Sequence, residues 1–264
     1  MTHGPERAPG QSVTAAVLIA SALAPAGLSG QKETGFLDRS VAIDGVEYPY
    51  QVYVPRDYDA TRTWPVILFL HGAGERGKDG LLQTEVGVGS AIRRTPDRYP
   101  AIVVLPQVPL DSTWQGAPGR AAMGALDRTI EEFHTDATRI YLTGMSMGGN
   151  GTWYLAYHYP DRFAAIAPIC GFVSSSRLVT SFVPDGEGSA FERLAERIRH
   201  IPVWIVHGDA DNVVPVTESR SMHDALRAVG AAVRYVELPG VGHNSWDAAY
   251  QTSELAIWLF TQRR

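Results

Sequence analysis

The sequence predicts an α/β protein built on a mostly parallel, doubly wound sheet that opens with an antiparallel hairpin. Two observations lead there. Short, continuous apolar runs recur along the chain, of the kind required by strands covered on both faces. Segments with helical spacing alternate with them over most of the length, the pattern of strand–helix–strand units.

Taken in order, residues 1–30 stand apart. VTAAVLIASALA (13–24) is an apolar run the length of a signal-peptide core, too short to span a bilayer, and SALA ending at Ala24 has the small-residue form of a cleavage site. The stretch before it has only Arg7 as a side-chain cation, beside Glu6. We expect an export signal here, and hence a secreted or periplasmic protein; the alternatives are a loosely attached Ala-rich segment and a cytoplasmic protein. The catalytic domain is expected over 34–264.

VAIDGVEYPYQVYVP holds Asp44-Gly45 between strand-forming residues, which predicts the opening hairpin. The apolar runs VILFL (66–70), AIVVL (101–105), RIYLTG (139–144), AAIAPI (164–169), VWIVHG (203–208) and VRYVEL (233–238) supply the remaining strands. Helices are expected in AAMGALDRTIEEFH, GNGTWYLAYHY, FERLAERIRH, ESRSMHDALRAVG and SWDAAYQTSELAIWLFTQ. In such a sheet the chemistry gathers in loops beyond the carboxyl ends of the strands.

Composition narrows the function. A chain of 264 residues with 45% hydrophobic content can bury one large core. With 19% charged residues, a net charge of -5 and no basic run, it does not suit nucleic acid. The single cysteine, Cys170, forms no intramolecular disulfide and reads as a small buried hydrophobe. No zinc spacing such as H-E-x-x-H occurs, so neither metal nor cofactor is expected.

HGAGERGKDG (71–80) fits three patterns. As a P-loop it lacks the hydroxyl residue after Lys78, having Asp79 instead. As a dinucleotide fingerprint it needs an acid ending the next strand, which ends Leu105-Pro106-Gln107. As an oxyanion loop it needs a nucleophile elsewhere, and RIYLTGMSMGGNGTW provides one: Gly144, Ser146 and Gly148 form G-x-S-x-G between a strand and a helix. A serine hydroxyl needs a base and an acid to orient that base. HGDADNVVP offers Asp209 and Asp211, and LPGVGHNSW offers His243, in the order serine, acid, histidine. His71 reads as a residue shaping the oxyanion loop, and His207 as polar packing at a strand end.

With these motifs the chain resembles the single-domain α/β-hydrolases, in particular bacterial esterases and predicted peptidases that carry HGAGERG, GMSMGGNGTW, HGDxDxVVP and GHNSWDxAY. The resemblance runs from about Thr34 to the C-terminus. It implies Asp211 as the triad acid, with Asp209 capping its loop, and backbone N–H groups of Ala73 and Met147 as oxyanion donors. It implies a carboxylic ester substrate with a short-chain or aromatic acyl group, free or attached to a polymer, feruloyl-type wall esters included. Peptide hydrolysis, or a binding module on the same fold, is the alternative. Trp114, Trp246 and Tyr250 fall in or beside the active-site loops and either flank the acyl group or pack in the core; Gln107 is a further pocket candidate. The short interval 172–200, where larger hydrolases of this kind insert a lid domain, predicts an open site.

Overall fold

The opening hairpin joins β1 (Gly35–Ile43) to β2 (Val46–Val54) through Asp44-Gly45, both with positive φ (52° and 79°), as a two-residue turn matching the strand twist demands. The structure, a computed structural model, describes residues 1, 2, 4 and 33–264 apart from 175, 177 and 178; the run 13–24 and its export signal lie outside the described residues. By its contacts the chain divides into two units, Met1–Lys32 and Glu33–Arg264, and the second holds all the elements that follow.

β2 pairs antiparallel with β4 (Ile102–Pro106). From β4 onward the neighbours run parallel: β3 (Trp64–Leu70), β5 (Thr135–Met145), β6 (Ala165–Ile169), β7 (Val203–Gly208) and β8 (Val233–Leu238). The order is β1-β2-β4-β3-β5-β6-β7-β8. Helices α2 (Ala117–Glu132), α3 (Met147–His158), α4 (Ala190–Ile198) and α5 (Thr217–Ala228) cover one face; α1 (Gly87–Arg94), α6 (Trp246–Gln251) and α7 (Ser253–Thr261) cover the other.

This two-sided cover explains the continuous apolar runs. In β3, Val66, Leu68 and Leu70 join the core under α2 to α5, while Ile67 and Phe69 join the core under α1, α6 and α7. All five side chains are buried.

Two expectations are corrected. The single C-terminal helix is two, broken at Thr252, whose backbone is extended (φ -81°, ψ 146°). The break lets Tyr250 and Leu255 both reach the same core. Helix α1 adds to the expected helices, and its sequence GVGSAIRR is a poor helix former. Its glycines serve packing: a Cβ at Gly87 would strike the Phe69 ring, and one at Gly89 the Thr84 carbonyl.

Candidate active site

The carboxyl ends of β3, β5, β7 and β8 bring the site together. Ser146 sits between β5 and α3 with φ 53° and ψ -116°, a region that L residues seldom occupy. Its flanking glycines allow the turn. A Cβ at Gly144 would meet the Gly148 carbonyl, and one at Gly148 would meet the Leu70 carbonyl of β3. Gly149 lies as close to Gly171, beyond the end of β6. The Ser146 N–H donates to the Ile169 carbonyl at 2.9 Å, tying the turn to β6.

His243 Nε2 lies 2.9 Å from Ser146 Oγ, and its Nδ1 lies 2.7 Å from Asp211 Oδ2. The carboxylate at Nδ1 requires a proton on that nitrogen, which leaves Nε2 as acceptor for the serine hydroxyl. Gly208 permits the meeting: a Cβ there would strike the Val241 carbonyl, so only glycine lets the His243 loop cross the end of β7. Asp211 has a fully buried side chain whose Oδ1 accepts the Val213 and Val214 N–H groups at 2.8 and 2.9 Å. Burial acts to raise its carboxyl, but the bonds from His243 and the two amides prevail and hold it below the usual range. Asp209 turns away and accepts the Gly240 N–H at 2.6 Å.

The loop after β3 is fastened by its own side chains. His71 is buried, with Nδ1 donating to the Gly72 carbonyl at 2.6 Å and Nε2 accepting the Val108 N–H at 3.1 Å. Burial pushes its pKa down to about 4, against the opposing pull of the Gly72 carbonyl, so the ring is neutral. Arg76 Nε donates to the Ala73 carbonyl at 2.9 Å, and Asp79 accepts the Leu81 and Leu82 N–H groups. Ala73 and Met147 each begin a helical segment, so their N–H groups have no partner within it.

Three of the pocket candidates belong to the scaffold. Trp114 is 0% exposed, gives its indole N–H to the His71 carbonyl at 3.0 Å and packs on Gly151 of α3. Gln107 is buried and splints the loop, accepting from Gly80 N–H and donating to the Glu75 carbonyl. Tyr250 is buried with its hydroxyl on Thr143 at 2.8 Å and its ring edge-on to Phe69. None of these side chains is accessible to a substrate. Trp246 is partly exposed and stands edge-on to the His243 ring, 5.4 Å between centroids, at the mouth of the site.

Two residues are closer to this centre than their sequence suggested. Cys170, with φ 39° at the end of β6, has its thiol within 4.8 Å of the Asp211 and His243 ligand atoms, and burial pushes that thiol up to about 12. His207 is buried with Nε2 3.1 Å from Asp211 Oδ2. The signal for it was its place four residues before Asp211 at a strand end, which alone does not say where the ring points. Between β6 and α4 no described residue is in a helix or strand.

Residues 112–262 match the model of the prolyl oligopeptidase family. A solved thermostable esterase is 35% identical with a TM-score of 0.74, over 87% of this chain and 63% of that one. A poly(3-hydroxyoctanoate) depolymerase of Pseudomonas fluorescens is 28% identical over 73% of this chain and 72% of its own length. An uncharacterized secreted protein of Arthroderma benhamiae is 31% identical over 74% of this chain, which spans only 23% of that protein. A solved feruloyl esterase module from Clostridium thermocellum, 17% identical with a TM-score of 0.62, shares the fold. The sheet order, the Ser146 turn and the family match together make this chain an α/β-hydrolase of the prolyl oligopeptidase family.

Proposed function

We propose that this protein is a serine hydrolase of carboxylic esters, working through an acyl-enzyme. What carries the reading is the unbroken chain from Ser146 Oγ to His243 (2.9 Å) to Asp211 (2.7 Å), on a fold shared with a thermostable esterase. Ser146 Oγ attacks the ester carbonyl carbon as His243 Nε2 takes its proton. Asp211 holds the ring in the tautomer that makes Nε2 the acceptor and stabilises the imidazolium that forms. The Ala73 and Met147 N–H groups receive the oxyanion, with the N-terminus of α3 adding its dipole. His243 then gives its proton to the leaving alkoxide, and a water molecule repeats the sequence on the acyl-enzyme.

Short-chain or aromatic acyl esters, free or on a polymer, suit a site beside which the described residues between β6 and α4 form no helix. Trp246, beside His243, is the side chain that flanks the acyl or alcohol group. The apolar run 13–24 and the secreted Arthroderma relative support export. The family match also favours a second reading, hydrolysis of peptide bonds by the same residues.

The test is turnover of p-nitrophenyl butyrate, methyl ferulate and a peptide p-nitroanilide by the protein and by Ser146→Ala. Ester turnover that falls by about 10⁴ to 10⁶ in the variant supports the reading. Turnover of the anilide alone would favour the peptidase, and a variant that kept its ester rate would sink the serine mechanism.

A further inference from the structure

Two histidines meet on one carboxylate oxygen. Asp211 Oδ2 lies 2.7 Å from His243 Nδ1 and 3.1 Å from His207 Nε2. His207 Nε2 also lies 3.0 Å from the Val214 carbonyl, so both of its neighbours are acceptors and that nitrogen carries the proton. On the far side, His207 Nδ1 lies 2.7 Å from the hydroxyl of Ser219 in α5. With the proton on Nε2, Nδ1 accepts the serine O–H, and the neutral ring satisfies every one of its neighbours. The result is one hydrogen-bonded line from α5 to the elbow: Ser219, His207, Asp211, His243, Ser146.

Asp211 therefore receives four N–H donors, two on each oxygen, and its lone pairs are filled. The Val213 and Val214 amides, on the turn that follows Asp211 itself, anchor Oδ1. They leave the carboxylate able to swing Oδ2 about that anchor. His207 comes from the rigid strand β7 and fixes the remaining freedom.

We propose that His207 is a positioning residue for the triad: by donating to Asp211 Oδ2 it holds that oxygen on His243 Nδ1. The inference rests on the serine-hydrolase reading for its consequence in catalysis, but its geometric part does not depend on any substrate. The groups that face His207 are Asp211, His243 beyond it, and Glu237, its register partner on β8, which is paired with Arg220. Of these, Asp211 is the acid that His207 touches.

The variants are His207→Phe, which fills the space without a donor, and His207→Gln, whose amide N–H reaches about where Nε2 stood. Two readouts apply to each: the downfield proton NMR signal of His243 Nδ1–H, which reports its hydrogen bond to Asp211 Oδ2, and the rate of Ser146 phosphonylation by a fluorophosphonate. With one donor removed, Oδ2 can swing away from His243 Nδ1. In His207→Phe the Nδ1–H signal should move upfield or broaden away, and the phosphonylation rate should fall by about 10- to 100-fold. His207→Gln should recover most of both. An Nδ1–H signal in His207→Phe that is unmoved overturns the proposal, as does a Gln variant no better than Phe. If Ser146 failed to label in the unaltered protein, the hydrolase reading would fall, while the Nδ1–H signal would still decide the role of His207.

Discussion

The turn that carries Ser146 and the loop that carries His243 meet at 2.9 Å, yet they are built in opposite ways. The Ser146 turn is set by close approach of backbone: Gly144, Gly148 and Gly149 leave no room for a side-chain carbon against β3 and the end of β6. The His243 loop is set by polar contacts, with Asp211, the Asp209 cap on Gly240 and the crossing over Gly208 holding it. One half of the site is therefore sensitive to volume and the other to hydrogen-bonding partners. Close-packed backbone supports the strained Ser146 turn, while hydrogen bonds orient the His243 ring.

The sharpest way to break this comparison lies in the polar half. Asp211→Asn should lower kcat by about 10⁴, because the amide favours the wrong tautomer of His243. Asp209→Asn, which disturbs one loop hydrogen bond, should cost less than about 10-fold. Both are read as steady-state kinetics on folded protein, and the reverse order would assign the acid to Asp209. In the packed half, Gly148→Ala should lower stability by about 3 kcal/mol or more, because its Cβ falls on the Leu70 carbonyl and neither strand nor helix can withdraw cheaply. A denaturation midpoint within experimental error of the parent would refute the volume argument.

His71 offers a test by pH. Its folded pKa of about 4 lies below the ordinary histidine value of about 6.5, so between those limits the unfolded chain binds a proton that the folded one does not. Stability should therefore fall as pH drops from about 6.5 to about 4, by at most about 3 kcal/mol, with no further loss from this group below that. In His71→Gln the decline between about pH 6.5 and 5 should shrink, as measured by urea unfolding at a series of pH values.

The aromatic residues give the smallest catalytic effects. Trp114→Phe should lower the melting temperature, through an empty space beside Gly151 and an unpaired His71 carbonyl, with little change in KM. Trp246→Ala should change KM by a few-fold while stability moves by less than about 0.5 kcal/mol. If the two exchanged effects, the division between scaffold and mouth would be wrong.

Much of this molecule could be read along the chain because its signals are local. Alternation of apolar runs with helical spacing, Asp44-Gly45 at the hairpin and the glycines around Ser146 are each complete within a few residues. Helix α1 and the break at Thr252 were not readable that way. Gly87 of α1 answers to Phe69 and Tyr250, and the break answers to packing under β3 and β5, all distant from it in sequence.

The site divides along the same line. The sequence by itself determined the sheet class, the strained serine and the order of serine, acid and histidine, since backbone conformation and periodicity are set by neighbouring residues. The resemblance already pointed to Asp211 over Asp209; only the tertiary structure decided that Trp114, Gln107 and Tyr250 are buried while Trp246 is not, and that His207 shares the Asp211 carboxylate. Those outcomes depend on which side chains from distant strands arrive at the same few ångströms, and a hydrogen bond or a buried ring exists only when its partner is there.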